Sequence, residues 1–331
     1  MSKSEVRKLV RWGSSNTLVV SIPRSWVRKY NLTEDDEIRI MELPDGRLVL
    51  APVKISLESE QKIVVSLNTL SDAESLRRII KMNYLRGYDV IRLTAEHPIL
   101  DSVRQTVINT VDSLVGFEIT ESGTKYIEVR DVLSLKEANL SLLVKIISQR
   151  TYELLSHLLM LLKGNTLDEL LLKKIMDMHN LIFSYCLRIH RQVRKAIKYP
   201  LLLQRMGIEY SEALNFTFFA RDIENISNVA LASAMAIKKY GVEQANPRLI
   251  SFAEQINTLV QSITRIFLFK KTKSVEDVLK RAEQLYSEKR DIENMLDKMS
   301  FERTTISLQI CLDNYEKIIG YGKNILELSQ T

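Results

Sequence analysis

The sequence predicts a multidomain α+β protein, and three patterns along the chain lead to this prediction. The first fifty residues alternate short apolar runs with turn residues, and residues 55–133 alternate strand and helix patterns. From residue 134 onward, apolar side chains recur at steps of three and four. A chain of 331 residues is long enough for two or three domains. We therefore expect domains at residues 1–54, 55–133 and 134–331.

The N-terminal pattern predicts two short hairpin-like units around a short helix. Thr17–Ile22 is typical of a strand, and Pro23 suits the first helical position because its φ is fixed and it has no N–H to leave unpaired. Asn31 should end the helix because asparagine tolerates the left-handed conformation. Two alternating runs within Glu37–Val53 flank Asp45-Gly46, a strong hairpin signal.

This order of elements resembles the AbrB/SpoVT/MazE swapped-hairpin DNA-binding family over residues 5–53. The resemblance is carried by the phrases Gly13-Ser-Ser-Asn16, Val20-Ser-Ile-Pro23 and Leu32-Thr-Glu-Asp-Asp-Glu37. Asp35 stands where the family usually has glycine, a departure that bears on the shape of that turn and not on the fold. About fifty residues bury little core alone, and the family interleaves two chains. The resemblance therefore implies a DNA-binding homodimer.

The excess positive charge is concentrated in the same part of the chain. Residues 1–30 hold seven basic residues and one glutamate, and their balance of +6 equals the net charge of the whole chain. Clustered cations bind nucleic-acid phosphates, although a solvated basic face is the alternative. We predict phosphate contacts from one group of side chains and base-edge or backbone hydrogen bonds from another. The first group is Arg7, Lys8, Arg11, Arg24 and Arg28, and the second is Ser14, Ser15 and Asn16.

Several protein classes are disfavoured by the sequence. No apolar run approaches the roughly 18 residues of a membrane span, and the N-terminus lacks a signal-peptide pattern, so we expect a cytoplasmic protein without membrane insertion. Cys186 and Cys311 fall in apolar helical rows and are expected to be core thiols. No set of nucleophile, base and oxyanion donors is apparent, so we do not expect an enzyme.

The middle of the chain predicts a small α/β domain in the order β-α-β-α-β-β. Strands are expected at 61–67 and 90–94, helices at 71–86 and 98–115, and a hairpin within 117–129. No glycine-rich loop follows a strand, so a nucleotide site is not supported. Two roles stay open for this domain, a small-molecule sensor of the ACT or ferredoxin-like class and a spacer.

The C-terminal half predicts six amphipathic helices of about 25–30 residues each. Their apolar rows run over residues 140–161, 175–196, 216–237, 249–266, 275–299 and 308–326. Long helices with short connections favour antiparallel bundles, and two three-helix bundles in tandem are the simplest arrangement.

Two stretches in this half resemble the PhoU family of phosphate-uptake regulators. They are Asp222–Ala230 and Tyr315–Ile325. The family pairs two carboxylates four residues apart on a helix and binds metal ions with them. Here Glu224 is retained while Asn228 replaces the second acid, and Glu316 is retained while Gly320 replaces the second acid. The resemblance implies either a weakened divalent or ferric metal site, or remnant glutamates that face solvent or pair with Lys or Arg.

A second basic cluster lies in the predicted second long helix. It holds no acid and consists of Arg188, Arg191, Arg194, Lys195, Lys198 and Arg205. One interpretation is a patch for an anion, an acidic partner or auxiliary DNA contact. The other is the outward face of a long helix, whose last turns favour cations.

Together the two resemblances imply a homodimeric transcription regulator of phosphate-uptake genes. The alternative is an adaptor that docks on a phosphate-transporter ATPase or a sensor kinase through its helices and uses its N-terminus for dimerisation. A toxin-neutralising antitoxin is disfavoured because such proteins usually act through disordered tails, and no such tail is visible in the sequence.

Overall fold

The fold is multidomain α+β, as predicted, and the chain divides into two compact units, residues 1–59 and residues 60–331. A computed structural model provides the coordinates. It describes residues 5–14, 16–42, 46–54, 60–69, 72–133, 139–164, 167–241, 247–270, 275–298 and 303–329.

The first unit contains two small antiparallel sheets and one short helix. Strands β1 (Val10–Arg11) and β2 (Leu18–Val19) form the first sheet. Helix α1 (Arg24–Lys29) follows. Strands β3 (Ile38–Glu42) and β4 (Leu48–Pro52) form the second sheet, in which Ile38 pairs with Pro52.

Both ends of α1 are set by the residues that the sequence singled out. Pro23 precedes the helix as its N-cap, with φ −60° and ψ 130°, rather than occupying the first helical position as expected. Asn31 has φ +47°, the left-handed conformation predicted for the residue that ends the helix. The chain then turns away, and the Leu32 amide donates to the Val27 carbonyl at 3.0 Å.

One copy of this unit buries almost none of its apolar side chains. Among its described large hydrophobic residues, only Met41 is buried. Ten others are exposed: Val6, Leu9, Val10, Trp12, Leu18, Val20, Ile40, Leu48, Leu50 and Val53. Exposure of so many large apolar side chains in a short segment is typical of an interaction site. A single copy therefore lacks a core of its own.

The second unit begins with a four-stranded mixed sheet in the order β5-β6-β8-β7. Its strands are β5 (Lys62–Ser66), β6 (Val90–Thr94), β7 (Phe117–Ser122) and β8 (Tyr126–Asp131). Strand β5 runs parallel to β6, and the other two pairings are antiparallel. A single 3₁₀ turn (Leu67–Thr69) follows β5.

Two helices, α2 (Ala73–Leu85) and α3 (Asp101–Val111), share one apolar core with the sheet. The Asp72 carboxylate caps α2 by accepting from the Ser75 amide at 2.7 Å. The chain order is β-α-β-α-β-β, as predicted. A ferredoxin-like domain has the order β-α-β-β-α-β, so that form of the sensor alternative does not match the topology.

The remaining elements are helices, and the six long ones that the apolar rows predict are confirmed. They are α4 (Leu140–Lys163), α5 (Glu169–Lys198), α7 (Tyr210–Tyr240), α8 (Pro247–Phe269), α9 (Val275–Leu296) and α10 (Arg303–Leu328). A short helix α6 (Pro200–Met206) lies where the sequence predicts only a break between long helices, at Pro200 and Gly207. None of the helices in the described part of the chain combines the length and apolar character of a membrane span.

The long helices form two sets of three that share one hydrophobic core. Helices α4, α5 and α7 pack together, as do α8, α9 and α10, and the sets meet along α7 with α10 and α4 with α8. Both cysteines lie unpaired in this core, where Cys186 donates to the Ala220 carbonyl. Two of the helices are capped by acidic or amide side chains, Asn139 on α4 and Asp168 on α5.

Helix α5 also joins the helical sets to the sheet through a buried ionic cluster. Nη1 of Arg188 lies 2.8 Å from both carboxylate oxygens of Asp131, at the end of β8. Nη2 of Arg191 lies 2.9 Å from Asp131 and 3.2 Å from Asp89, which also pairs with Lys195. Both arginine side chains are buried.

The interpretation of this basic cluster as an outward helix face is therefore wrong for three of its members. Asp131 and Asp89, beside the sheet of the same chain, are the acidic partners of Arg188, Arg191 and Lys195. These three cations therefore form neither an open anion patch nor an auxiliary DNA contact. The three other members, Arg194, Lys198 and Arg205, are exposed. Helix geometry explains the division, because Arg188, Arg191 and Lys195 are three and four residues apart and share one side of α5.

Two glycines allow this close approach between α5 and the sheet layer. A Cβ at Gly116, whose φ is +88°, would lie 2.9 Å from Nη1 of Arg188 and 2.8 Å from Leu133. A Cβ at Gly87 would lie 3.4 Å from the Cβ of Lys195, an ordinary contact, so it is the φ of +87° that favours glycine there. The guanidinium of Arg191 lies over the ring of Tyr84, and burial raises the pKa of Tyr84 to about 12. Burial lowers the pKa of Arg191, and the negative charge of Asp131 acts in the opposite direction without outweighing it.

Replacing Asp131 by alanine should destabilise the second unit strongly. The change leaves the buried Arg188 and Arg191 without their main counter-ion, and breaking a buried ion pair in this way costs about 3–5 kcal/mol. Urea unfolding followed by circular dichroism measures the difference. Glu74→Ala is the matched control, because it removes an exposed pair with Arg77 and should cost less than about 0.5 kcal/mol. Equal stability of the two variants would contradict a structural role for the cluster.

Candidate nucleic-acid interface

A tight turn joins β1 to β2 and displays several of the predicted DNA-contacting residues. Arg11 pairs with Leu18 across the two strands, and the Trp12 amide donates to the Thr17 carbonyl at 3.0 Å. Gly13 has φ +60°, a conformation that glycine adopts without strain. The turn thus places Gly13, Ser14 and Asn16 at the tip of the hairpin.

The structure brings the predicted loop residues to one exposed place. Ser14 and Asn16 lie in the turn and are exposed, and Arg11 lies at its base with its side chain exposed. Lys8 is also exposed, three residues before Arg11. Ser15, predicted as a hydrogen-bonding residue of the same turn, lies outside the described residues.

Arg7 links the segment before β1 to the segment after β2. Its Nη1 donates to Ser21 Oγ at 2.8 Å, and its Nη2 lies 2.6 Å from a carboxylate oxygen of Glu5. Exposed ion pairs of this type are worth roughly 0–1 kcal/mol. A phosphate could therefore replace Glu5 as the partner of Arg7 at little cost.

Helix α1 presents the second group of cations. Arg24 and Arg28 are exposed, and their spacing of four residues puts them on one side of the helix. Lys29, which the predicted site did not include, is also exposed, and its ammonium lies 5.1 Å from the centre of the Tyr30 ring. The Trp26 ring meets the same tyrosine edge-on at 5.4 Å. The Trp26–Tyr30 contact supports the helix that carries these charges.

Asp36 fixes the turn that leads into the second hairpin, and the sequence analysis missed it. Its carboxylate accepts from the Thr33 amide at 2.6 Å and from the Lys54 ammonium at 2.7 Å. The hydrogen bonds from Lys54 and Thr33 lower the pKa of Asp36. The spacing of Thr33 and Asp36 was a readable signal, because a side-chain carboxylate three residues on commonly caps such a turn. Asp35, the residue of this turn that the sequence analysis singled out, is exposed.

The first of the two carboxylate motifs lies on α7. Glu224 is half-buried, and burial raises its pKa. Its negative charge also adds to burial in raising the pKa of Cys186 on α5. Asn228, one turn further along, is exposed. Glu224 therefore lies partly buried near the Cys186 thiol, and the second position of its motif holds an amide in place of an acid.

The second motif, on α10, already has a cation beside it. The Lys289 ammonium on α9 lies 3.4 Å from Glu316, 3.4 Å from Asp313 and 3.0 Å from Glu293. Burial acts to lower the pKa of Lys289, but hydrogen bonding to Glu293 and the charge of Glu316 outweigh it, and the pKa is raised. The lysine therefore stays charged among three carboxylates.

These surroundings do not fit a hard-cation site. Such a site needs several oxygen ligands directed at one point. Glu316 faces Lys289, Gly320 offers no side chain, and Glu224 stands with an exposed amide. Across the described ranges, no three His, Cys, Asp or Glu residues converge in a way that would hold a metal ion.

A cleft of about 570 Å³ lies at one end of the helical sets. The start of α7, the end of α8 and the end of α10 contribute its walls. A pair between Glu212 and Lys270, 3.0 Å apart, lies beside the aromatic rings of Phe216 and Phe267. The volume of the cleft is in the range of small-molecule sites.

Residues 10–58 match the family model described as antidote-toxin recognition MazE, bacterial antitoxin. The match covers the hairpin, α1 and the second hairpin of the first unit, and it is compatible with DNA binding and dimerisation. No match to the PhoU family was found for the helical part. The search of curated proteins gave no match to the chain. The family likeness is thus confined to the N-terminal module.

Replacing Lys289 by methionine should destabilise the α9–α10 contact by about 1–2 kcal/mol. Three carboxylates would then face one another without a cation, but their partial exposure reduces the cost relative to a fully buried pair. Lys280→Met, which removes only the exposed pair with Glu276, should change stability by less than about 0.5 kcal/mol. Urea unfolding at neutral pH compares the two variants.

The pH dependence of the difference in unfolding free energy between wild type and Lys289→Met tests whether Lys289 is charged. Because the pKa of Lys289 is raised, its contribution is complete below the ordinary value of 10.5 and is lost only as the pH rises through the higher folded value. The gap between wild type and Lys289→Met should therefore be constant from neutral pH to about pH 10. A gap that closes near pH 8 would show that the lysine is not held as a cation by these acids.

Proposed function

We propose that this chain is a homodimeric, non-enzymatic DNA-binding transcription regulator that grips the duplex with its N-terminal module. The observation that carries the proposal is the combination found within residues 5–54. This segment overlaps the MazE-type match, displays most of the excess positive charge on its surface and lacks a core in one copy. Interleaving of two copies would account for all three features, because it would bury the apolar side chains and present one basic face.

The need for a second copy follows from the apolar side chains. Ten large hydrophobic residues of the unit are exposed in one chain, with Met41 as the one described large hydrophobic that is buried. Burial of apolar surface contributes about 25 cal/mol per Å². Leaving such a surface in water would make the folded monomer unstable, so we infer that folding and dimerisation of this module occur together.

The proposed contacts divide by chemistry. Arginine and lysine side chains on the β1–β2 hairpin and on α1 neutralise phosphates and set the register of the protein on the duplex. Ser14 and Asn16 at the tip of the turn have the donors and acceptors to meet base edges or backbone. A two-fold dimer doubles the set, which favours a palindromic or shape-read operator.

The phosphate-uptake part of the proposal is supported by the PhoU-like stretches Asp222–Ala230 and Tyr315–Ile325. In this proposal the second unit receives the phosphate-status signal, either from a protein partner or from a small molecule in the cleft beside Phe267. The signal then biases how the dimer fits DNA. Such a regulator acts on the chromosome, and we propose that it is cytoplasmic. The competing role is that of an adaptor for a phosphate-transporter ATPase or a sensor kinase.

Gel-shift titration against genomic fragments at several salt concentrations tests DNA binding. For wild type, the logarithm of the affinity should fall with the logarithm of salt with a slope on the order of 4–8. Arg11→Ala and Arg24→Ala should each weaken binding about tenfold or more at low salt, and should reduce the slope by about two per dimer because each change removes two phosphate contacts. Arg194→Ala is the control, since it removes an exposed arginine from α5 in the other unit.

The outcomes separate the two roles. Unchanged affinity in both Arg11→Ala and Arg24→Ala would remove the proposed surface. Failure of the wild-type protein to bind DNA even in dilute salt would favour the adaptor. A map of bound sites in the genome then tests the phosphate assignment, because promoters of phosphate-transporter genes should be enriched.

A further inference from the structure

The four-stranded sheet of the second unit ends in two edge strands, β5 and β7. An edge strand carries backbone N–H and C=O groups on its outer side that no neighbouring strand uses. Proteins normally blunt such edges with bulges, charges or proline, since an unprotected edge pairs with another strand. The two edges of this sheet differ in just this respect.

Strand β7 carries the usual protection. Its register with β8 shifts between Ile119 and Glu121, which marks a bulge or irregularity. Glu118 and Glu121 are both exposed on it. The irregularity and the two carboxylates disfavour the addition of a further strand at this edge.

Strand β5 carries no such device. Its five residues keep an unbroken register with β6, from Lys62 opposite Val90 onward, and its sequence holds neither proline nor glycine. Val64, in the middle of the strand, is 60% exposed. The one charged residue, Lys62, has its ammonium 2.9 Å from Glu128 of β8, which also pairs with Arg92 and Arg130, so the lysine reaches across the sheet toward β8 and not outward from the β5 edge. The edge is regular and centred on an exposed β-branched side chain.

The backbone of Val64 faces away from β6. The carbonyl of Gln61 accepts from the Val90 amide at 3.1 Å, so the groups of Gln61 point toward β6. Because successive residues of a strand alternate, Ile63 and Val65 point the same way and Val64 points to the outer side. Among the described residues, no backbone hydrogen bond reaches Val64 from that side.

We propose that β5 pairs antiparallel with β5 of a second copy of this chain, centred on Val64, to form one eight-stranded sheet. The inference rests on the proposed homodimer. Only residues 55–61 separate the strand from the N-terminal module, and a chain of that length spans at most about 25 Å. Once two N-terminal modules interleave, the two β5 strands are therefore tethered at millimolar effective concentrations.

The pairing satisfies both chains by the same contacts. Two Val64 residues facing each other across a two-fold axis exchange two N–H···O=C bonds, with Cα atoms about 5.5 Å apart. Their branched side chains then form a cross-strand pair, a favourable combination in sheets. In this register the two Lys62 residues lie at opposite ends of the pair, which avoids like charges in contact.

Disulfide trapping in the full-length protein tests this pairing. In Val64→Cys the two thiols would face each other at a Cα separation within the disulfide range. Oxidation with diamide, followed by a non-reducing gel, should convert most chains to a covalent dimer that reductant reverses. Thr120→Cys, on the exposed part of β7, is the matched control and should give at least about fivefold less dimer. The native Cys186 and Cys311 are buried, so wild type should give none.

Sedimentation of the same samples distinguishes failure of this inference from failure of the homodimer. A non-covalent dimer in which Val64→Cys crosslinks no better than Thr120→Cys would overturn the β5 pairing and leave the N-terminal dimer intact. A monomer would overturn both.

Discussion

The N-terminal module cannot bury its own apolar side chains, and this constraint governs the protein. The module has short strands and one six-residue helix, which together leave Met41 as the one described large hydrophobic side chain that is buried in a single copy. In our proposal a second copy supplies the missing contacts. The same interleaving doubles the basic side chains on the hairpin turn and on α1. Core formation and the proposed DNA-binding face therefore have one physical origin.

The second unit, in contrast, has its own hydrophobic cores, and a buried ionic cluster joins its sheet to its helices. Asp131 binds two buried arginines of α5, so the end of β8 and the middle of a thirty-residue helix are held together. The acidic group on one element and the cations on the other lie 57 and 60 positions apart in sequence. A displacement of α5 by a partner or ligand would be transmitted to the sheet, because a charge cannot leave this cluster without large cost.

Secondary structure was largely readable from the sequence because it follows local periodicity. The long helices, the strands of the sheet and the left-handed Asn31 all follow from spacing and turn chemistry. What was missed depends on tertiary contacts. The arginines of α5 look like a solvated face until Asp131 and Asp89 are placed against them. Glu293, four residues after Lys289 on the same helix, is a local partner, but the contacts of Lys289 with Asp313 and Glu316 of α10 depend on how the two helices pack. The cluster of exposed basic residues on the first unit was predictable because charge accumulates within thirty residues, whereas the role of Asp36 depends on how the turn before the second hairpin is closed.

The two proposed contacts between copies support each other through the short connection at residues 55–61. A five-residue strand pair is weak by itself, since two-stranded pairings are marginal in water. Tethering by the N-terminal dimer removes most of the entropic cost of bringing the strands together. In return, a sheet continuous across the two-fold limits the separation of the two modules that hold DNA. Asp89 directly precedes β6, the neighbour of β5, and is bound by Arg191 and Lys195. A signal that shifts α5 thus acts one strand away from the paired edge, which gives the helical part a physical route to the DNA-binding dimer.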